Sequence, residues 1–358
     1  MKLLYYITSH GYGHALRSSV IAAHVPKEYE LVFRTTVPQE FFKRELTRPF
    51  SYRPAAFDCG CIQPHENAID VPKTLSTYRE IADANRALLD KEASWCTRNG
   101  VDVIVSDIVP FAFDVARRAG LPSMAATNFT WHTIYEEYAE AHPDFADRLA
   151  EMRDQYARAD VLCEMYPSNA MNYFRSRVRV GPVGRVGADI RNRLHSEYGI
   201  PRDKKIGLIY TGNFGMAGVV WKQIEKFEKW FFLSLYPLHG EPKNYRLVST
   251  RDLRYQDCIA SADVMITKLG YGACAECFIN GLPIIYLPRT GFAEYSVLEA
   301  AVGRWGHGYP LSKDDFCSLN WFGALEAVEN TGKPFPEKSD GGAACAAEIV
   351  KLAEARMQ

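Results

Sequence analysis

Short apolar segments, rich in β-branched and aromatic residues, alternate along the chain with longer segments whose apolar positions follow a helical period. The first kind is typical of buried parallel strands, and the second of the helices that connect them. In the first half the pattern predicts strands at 2–9, 30–36, 51–57, 101–106, 123–127 and 161–165, with helices at 14–24, 72–98, 111–119 and 133–159, the last of them broken at Pro143. In the second half it predicts strands at 206–211, 231–236, 245–249, 264–267 and 283–287, with helices at 216–229, 255–262, 272–280, 295–302, 312–328 and 343–356.

A passage rich in glycine and proline, residues 180–187, separates two runs of this alternation and predicts a linker. A chain of 358 residues is long enough for two domains. We therefore expect two α/β units in series, with a cleft between the carboxyl ends of their sheets. Open parallel sheets bind ligands at those ends.

Composition narrows the classes of function. Lysine and arginine number 42 against 43 acidic residues, and the resulting net charge of −1 argues against a general nucleic-acid-binding protein. No run approaches the roughly 18 apolar residues of a membrane span, and the N-terminus lacks the features of a signal peptide. Nine cysteines, an odd number, indicate a reducing compartment rather than a disulfide framework. We expect a cytoplasmic protein.

The first motif that could carry chemistry is Ser-His-Gly-Tyr-Gly-His at residues 9–14, where the first strand turns into a helix. Gly11 and Gly13 permit a tight turn and close approach of a ligand. The spacing is not that of a dinucleotide-binding loop, because Leu16 stands where a third glycine would be needed. His10 and His14 are candidate proton carriers, although either could instead cap the turn.

Asp107 follows the apolar segment 103–106 and is expected at the edge of the sheet where ligands bind. A carboxylate at this place can hold a histidine in one tautomer and stabilise its charged form. It could equally cap the helix predicted at 111–119.

The third motif covers 261–288, where a strand, two glycines and a helix follow one another. Gly270 and Gly272 leave the N–H groups of the helix free, which is typical of an anion site suited to a diphosphate. Glu276 is expected near the first turn of that helix. It could accept both hydroxyls of a ribose, or it could be an ordinary helix-start glutamate.

These motifs, in this order, resemble the GT-B nucleotide-sugar glycosyltransferases, a group that includes MurG-like and plant UDP-glycosyltransferases. Within the group the chain is most similar to the glycosyltransferase-like N-terminal portion of L-arabinokinase-type proteins. The resemblance is carried by residues 9–14, 106–110, 127–131 and 268–272 and spans about residues 1–305. It does not extend to a kinase domain, so it implies no sugar-kinase activity.

The resemblance implies a GT-B fold, with two Rossmann-like α/β domains facing each other across a cleft. Residues 1–187 would be the acceptor-side domain and 188–340 the donor-binding domain, while a terminal helix at 341–358 would pack back toward the first. It further implies an inverting, metal-independent transfer of a sugar from a nucleotide-diphosphate sugar, a UDP-sugar by preference, to an acceptor hydroxyl. No cofactor or metal is expected, and the sequence has no Asp-x-Asp metal motif.

Roles for individual residues follow from the same resemblance. His14 would be the general base and Asp107 its partner. The donor would be bound by Gly212, Asn213, Phe214, Gly215, Lys268, Gly270, Tyr271, Gly272, Glu276 and, at the sugar hydroxyls, Glu294. The acceptor or sugar would meet His10, Gly11, Gly13, Asn128, Thr130 and Trp131, although Trp131 could also be an ordinary core residue.

Two alternatives stay open. The same architecture could support a UDP-sugar 2-epimerase, or the protein could bind a nucleotide sugar without catalysis. The tryptophan and glutamines of the plant signature are missing, so the base of the nucleotide is not fixed by sequence. The acceptor could be a glycan, a lipid or a small molecule, and a peripheral contact with the inner face of a membrane is compatible with the sequence.

Three further features favour structural interpretations. Cys274 and Cys277 fall inside a predicted helix and are expected to pack rather than to bind metal. The aromatic cluster of Trp221 and residues 230–232 is expected in a core, with an acceptor or membrane patch as the alternative. The basic run 175–193 is expected to be a solvated face, although it could attract an anionic lipid.

Overall fold

The computed structural model describes residues 1–63, 69–211, 218–338 and 340–356. The chain divides into two compact units. The first is Met1–Gly184 together with Asp340–Gln358, and the second is Arg185–Ser339.

The first unit contains one parallel sheet of seven strands. In chain order they are β1 (Lys2–Ile7), β2 (Glu30–Arg34), β3 (Ser51–Arg53), β4 (Val103–Asp107), β5 (Ser123–Thr127), β6 (Val161–Met165) and β7 (Arg177–Val180). Their order across the sheet is β3-β2-β1-β4-β5-β6-β7, so the direction of winding reverses between β1 and β4. Such a reversal is where open parallel sheets hold their ligands. Ile7 and Asp107 are paired there at the ends of the two strands.

Helices connect these strands. They are α1 (Tyr12–His24), α2 (Gln39–Glu45), α3 (Val71–Arg98), α4 (Phe111–Ala119), α5 (Trp131–Ala139) and α6 (Ala146–Tyr156), with a 3-10 turn at Pro143–Phe145. The predicted break at Pro143 is confirmed, because α5 ends before that residue and α6 begins after the turn. The core between α3, α4 and the sheet is built on side chains such as Tyr6, Ile104 and Phe111.

The second unit has a parallel sheet of six strands in the order β10-β9-β8-β11-β12-β13. Its strands are β8 (Lys205–Tyr210), β9 (Trp230–Ser234), β10 (Tyr245–Leu247), β11 (Val264–Lys268), β12 (Ile284–Leu287) and β13 (Gly308–Pro310). Its helices are α7 (Arg191–Tyr198), α8 (Tyr255–Ser261), α9 (Tyr271–Asn280), α10 (Glu294–Trp305), α11 (Lys313–Cys317) and α12 (Phe322–Thr331).

The predicted alternation of strands and helices is confirmed, but several boundaries were wrong. Residues 221–226 form a 3-10 helix instead of part of a long α-helix. The helix predicted at 312–328 is two helices, because Leu319 between α11 and α12 adopts a φ of 55°, which a continuous helix does not allow. The pattern also missed β7, β13, α2 and α7, whose three to eight residues are too few for a clear period.

The aromatic cluster of the second unit is a core, as expected. Trp221, Trp230 and Phe232 are almost completely buried and pack with Trp321, whose ring stacks on Phe227 at a centroid distance of 5.7 Å. In the described ranges, no helix combines the length and the apolar character that a membrane crossing requires.

The final helix, α13 (Gly341–Ala355), belongs to the first unit and packs on α1. Two glycines at its start permit a close approach. A Cβ on Gly341 would lie 2.3 Å from the carbonyl oxygen of Gly181, and one on Gly342 would lie 2.9 Å from the side chain of Val20. The beginning of α13 is therefore fixed by backbone contact, which a larger residue would prevent.

We predict that Gly341→Ala lowers the free energy of unfolding of the first unit by about 1–3 kcal/mol, because the backbone of Gly181 must shift. Gly303→Ala, inside α10, is the matched control: its Cβ would meet none of the described residues within 4 Å, so the substitution should be neutral or slightly stabilising. Urea unfolding followed by circular dichroism measures both. Equal effects of the two substitutions would contradict the close packing of α13.

Candidate functional site

The turn after β1 leads into α1, and His14 is the third residue of that helix. Gly11 precedes the helix with a φ of 86° and a ψ of 156°, a conformation that favours glycine. Gly11, Tyr12 and Gly13 are exposed, whereas the side chain of His14 is largely buried. The glycines thus bring the chain to the edge of the sheet and direct the imidazole inward from an open turn.

Asp107 is the last residue of β4 and is completely buried. His14 Nδ1 lies 2.9 Å from Asp107 Oδ1. The residue after it, Ile108, has a φ of 57°, which is a strained conformation for a β-branched side chain. The hydroxyl of Tyr156 donates to the carbonyl of Ile108 at 2.6 Å and holds this bend. Asp107 is therefore not the cap of α4: it forms a pair with His14.

Arg17 completes this site, and the sequence interpretation gave it no role. Its Nε donates to Asp107 Oδ2 at 2.7 Å and its Nη2 to Oδ1 at 2.5 Å, while Nη1 donates to Asn128 Oδ1. Ser18 adds a fourth donor, from its hydroxyl to Asp107 Oδ2 at 3.1 Å. With His14, these donors can fill the four lone-pair positions of the buried carboxylate.

The network assigns the tautomer of His14. Arg17 Nη2 also lies 3.0 Å from His14 Nδ1, but its two hydrogens already have acceptors in Asp107 Oδ1 and, at 3.1 Å, Thr127 Oγ1. Thr127 accepts because its own hydroxyl donates to the carbonyl of Phe129 at 2.6 Å. We therefore assign the Nδ1 proton to His14, which leaves Nε2 with a lone pair, as a general base requires.

Charge decides the ionisation of Asp107. Burial alone would raise its pKa, but the Arg17 guanidinium and His14 outweigh burial and hold the pKa at about 2. The carboxylate is thus ionised across the physiological range. It can orient His14 and stabilise an imidazolium that forms during proton transfer.

His10 lies in a second cluster in the same unit. A Cβ on Gly60 would lie 2.2 Å from His10 Nδ1, so the imidazole rests directly against that glycine, and its ring makes an edge contact with Trp131 at 5.2 Å. Nearby, the hydroxyl of Thr8 donates to the buried Asp58 at 2.7 Å. Burial raises the pKa of Asp58 to about 6.

Three residues expected to touch the acceptor or sugar lie below the surface instead. Asn128, Thr130 and Trp131 are completely buried. Asn128 accepts from Arg17, Thr130 caps α5 through the N–H of Thr133, and Trp131 stacks on Tyr135. None of these three side chains reaches solvent, so their contacts in this structure are with other protein groups.

In the second unit, the predicted diphosphate loop lies between β11 and α9. Lys268 ends the strand, Gly270 precedes the helix and Tyr271 begins it. Among the residues that the structure describes, none lies within 4 Å of a Cβ built on Gly270 or on Gly272, so these residues leave space beside both glycines. Burial and the neighbouring charge of Arg289 lower the pKa of Lys268. A loop of this kind, at the start of a ten-residue helix, can accept an anion.

Glu276 lies in the second turn of α9 and not near the first, and it is only 2 % exposed. Arg185 Nε donates to its Oε1 at 2.6 Å, and Arg185 Nη2 to its Oε2 at 3.3 Å. Arg191 likewise pairs with Asp263 at 2.8 Å. These two arginines belong to the run 175–193, so the expectation that the whole run is a solvated face was wrong.

Glu294, expected at the sugar hydroxyls, is the first residue of α10 and is buried. Burial of the Cys274 thiol and, to a smaller extent, the charge of Glu294 raise the pKa of Cys274. Cys274 and Cys277 are free and completely buried, which confirms that they pack. The predicted first glycine loop, Gly212, Asn213, Phe214 and Gly215, lies outside the described residues.

The sequence of the chain is similar to sequences of known proteins. No family model matches the chain. It is 29% identical to an L-arabinokinase of Arabidopsis thaliana over 97% of its own length, and 27% identical to a UDP-N-acetylglucosamine–N-acetylmuramyl-(pentapeptide) pyrophosphoryl-undecaprenol N-acetylglucosamine transferase of Clavibacter sepedonicus over 61%. The chain spans 34% of the first relative and 59% of the second.

Solved structures show the same architecture. The calicheamicin glycosyltransferase CalG4 superposes with a TM-score of 0.64 at 16% identity, covering 99% of this chain and 96% of that one. UGT2 of Phytolacca americana, solved with UDP-2fluoro-glucose and pterostilbene, superposes with a TM-score of 0.61 at 15% identity, covering 99% and 94%. The chain has the GT-B fold. The fold expected from the motifs is therefore confirmed.

Sequence reasoning missed Arg17, Ser18 and Arg185. For Arg17 a signal existed: it follows His14 by three residues on a predicted helix, and residues at that spacing share one face. The same signal existed for Ser18, which follows His14 by four residues, a spacing that also shares one helix face. Arg185 could not be found, because it stands in a segment without helix or strand and its partner Glu276 is 91 residues away.

The depressed pKa of Asp107 predicts how stability depends on pH. An ionised carboxylate with a folded-state pKa of about 2 stabilises the fold above the ordinary aspartate value of 3.8, and this contribution is lost as pH falls through 2. We expect the ionised Asp107 to contribute about 2 kcal/mol to the free energy of unfolding at pH 7.

Urea unfolding between pH 2 and pH 7 measures this contribution. Asp107→Asn should be less stable than wild type at pH 7, and the difference should shrink toward pH 2. A difference that stays constant over this range would mean that Asp107 does not carry a buried charge.

Proposed function

We propose that this GT-B protein is a glycosyltransferase that moves a sugar from a nucleotide-diphosphate sugar, preferably a UDP-sugar, to an acceptor hydroxyl. The observation that carries the proposal is the His14–Asp107 pair at the end of β4, in which His14 Nδ1 lies 2.9 Å from Asp107 Oδ1. With the proton assigned to Nδ1, Nε2 is the nitrogen that can act as the base. The likeness to glycosyltransferases of known structure supports the same reaction class.

The reaction we infer is a single displacement. The acceptor oxygen forms a bond to the anomeric carbon while the bond from that carbon to the diphosphate oxygen breaks, and the electron pair leaves with the diphosphate. His14 Nε2 takes the proton of the acceptor hydroxyl, and Asp107 stabilises the resulting imidazolium. One displacement inverts the configuration at the anomeric carbon.

The second unit supplies the residues that we assign to the donor. The N–H groups at the start of α9 would donate hydrogen bonds to the departing diphosphate and so stabilise the negative charge that develops on it. Lys268 would add a positive charge from the end of β11, and Glu294 would accept from sugar hydroxyls. This assignment requires no metal. We therefore expect the rate of sugar transfer to stay the same when a metal chelator is added.

The proposed donor class is tested by thermal shift with UDP, UDP-sugars and the corresponding ADP, GDP and TDP compounds. A ligand at a hundredfold excess over its Kd stabilises the fold by about 2.7 kcal/mol, so several degrees are expected for the correct donor. A shift with another nucleotide but none with UDP would overturn the UDP preference. No shift with any nucleotide would overturn the donor class.

The catalytic roles are tested by His14→Ala and Asp107→Asn. Each should lower turnover about 10²- to 10⁴-fold, because the base is lost or wrongly oriented. Donor affinity should stay within about twofold, since both residues act on the acceptor proton. Release of nucleotide from the donor measures turnover, first with water and then with glycan, lipid and small-molecule hydroxyl acceptors.

His24→Ala is the matched control for these variants. His24 is exposed at the last residue of α1 and should leave turnover unchanged. If His14→Ala and Asp107→Asn lose donor affinity as much as turnover, their role is structural and the proposed base is wrong.

A further inference from the structure

Asp58 is a buried carboxylate of the first unit that the proposed reaction does not use. It lies in the segment after β3 and is only 5% exposed. The backbone on both sides of it is held in place. Asn85 Nδ2 donates to the carbonyl of Phe57 at 2.9 Å, and the hydroxyl of Tyr135 donates to the carbonyl of Gly60 at 2.7 Å. The carboxylate therefore cannot turn toward solvent without breaking these contacts.

Thr8 connects Asp58 to the residues around His14. The hydroxyl of Thr8 donates to Asp58 Oδ1 at 2.7 Å and accepts from the N–H of His10 at 3.2 Å. The N–H of Thr8 donates to the carbonyl of Asp107 at 3.3 Å. A hydroxyl has one hydrogen, so a Thr8 that donates to Asp58 has only lone pairs left for His10. One buried side chain thus links Asp58 both to the turn before α1 and to the end of β4.

The surroundings of Asp58 make its charge costly. In the part of the chain that the structure describes, Asp58 Oδ2 is buried and accepts no hydrogen bond. Burial raises the pKa of Asp58 to about 6, because the opposing effects of Thr8 and Trp131 are smaller. The cost to stability is absent below the ordinary aspartate value of 3.8, grows as pH rises and is complete above about 6. A buried group that costs stability at neutral pH indicates a functional role.

We propose that Asp58 is a positioning residue for His14: in its ionised form the carboxylate holds the hydroxyl of Thr8 and so fixes the turn that leads from β1 into α1. This inference rests on the proposed function. A charged acceptor holds a hydroxyl about twice as strongly as a neutral one, so the turn is held more firmly when Asp58 is ionised. Asp58 exchanges its proton with water and takes no part in the bond changes at the sugar.

The test compares the pH dependence of kcat in wild type and Asp58→Asn. The amide keeps a neutral acceptor for Thr8 and cannot ionise, so it imitates the protonated form. Release of UDP from UDP-glucose and from UDP-N-acetylglucosamine, with water as the acceptor, measures kcat. Wild type should be about tenfold faster at pH 7.5, where the charged contact is made. The ratio should fall below about twofold at pH 5, where only about a tenth of Asp58 is ionised.

Other groups that titrate are separated from Asp58 as follows. Asp107, with a pKa of about 2, stays ionised between pH 5 and pH 7.5. Any ionisation of His14 enters both rates and cancels in their ratio. The neighbours of Asp58 that burial keeps neutral, by raising their pKa values, are Cys59 beside it and Tyr78, Tyr135 and Tyr156 on α3, α5 and α6.

His10 remains as a titratable group on the turn itself, where its ring rests against Gly60. The comparison of wild type with Asp58→Asn is therefore repeated in the His10→Gln background. The fall of the ratio toward pH 5 should persist there. If it disappears, the titrating group is His10 and the role proposed for Asp58 is wrong.

A second measurement needs no substrate. In protein labelled with 15N-threonine, the amide signal of Thr8 should shift with a midpoint near pH 6 in wild type and show no such step in Asp58→Asn. Thr8→Ser assigns the signal, because it removes the label and keeps the hydroxyl. Asp90→Asn is the matched control: this carboxylate pairs with Arg118 at the surface, so its loss should change neither the rates nor the titration.

Thr8→Val serves if Asp58→Asn does not fold, because it removes the same contact from the other side. It should lower kcat more at pH 7.5 than at pH 5.

A rate ratio that is constant with pH, or a Thr8 amide without a step near pH 6, would overturn the role of Asp58 and leave the proposed function in place. If wild type releases UDP from no UDP-sugar with any acceptor, the proposed function fails, and the positioning role fails with it whatever the Thr8 signal shows.

Discussion

A charged carboxylate buried at the end of β4 holds the start of α1 against the sheet of the first unit. Asp107 is completely buried, and it stays ionised only because Arg17, Ser18 and His14 direct donors at it. Three of these four residues lie on α1, so the carboxylate fixes the helix at the sheet edge where the winding reverses. The same contacts fix the ring and the tautomer of His14. Structure and proposed chemistry thus depend on one cluster of charges.

The second unit also buries a carboxylate, but the donors to that carboxylate come from a different kind of segment. Glu276 is also a buried carboxylate, and Arg185 satisfies both of its oxygens from a segment that lies outside helix and strand. Asp107 takes its donors from the helix beside it, which allows little movement.

Much of the fold followed from the sequence, because buried parallel strands and their crossover helices carry strong local patterns. The positions of His14 at the start of α1 and Asp107 at the end of β4 followed from the motifs, and their pairing was implied by the resemblance to glycosyltransferases. The errors occurred where tertiary contacts override local pattern. Residues 221–226 form a 3-10 helix against the core around Trp321, and Asn128, Thr130 and Trp131 lie beneath the surface that the motif appeared to mark. The Arg185–Glu276 pair joins residues 91 positions apart, which no local pattern reports.

The most direct test of the central claim is the tautomer of His14, measured by 15N NMR of the protein labelled at histidine, with His14→Ala to assign the signal. We predict a neutral imidazole that carries its proton on Nδ1, hydrogen-bonded to Asp107, and an unprotonated Nε2 that is able to accept a proton. A neutral imidazole protonated on Nε2, with Nδ1 accepting from Arg17, would contradict it, because the nitrogen proposed as the base would already hold a proton.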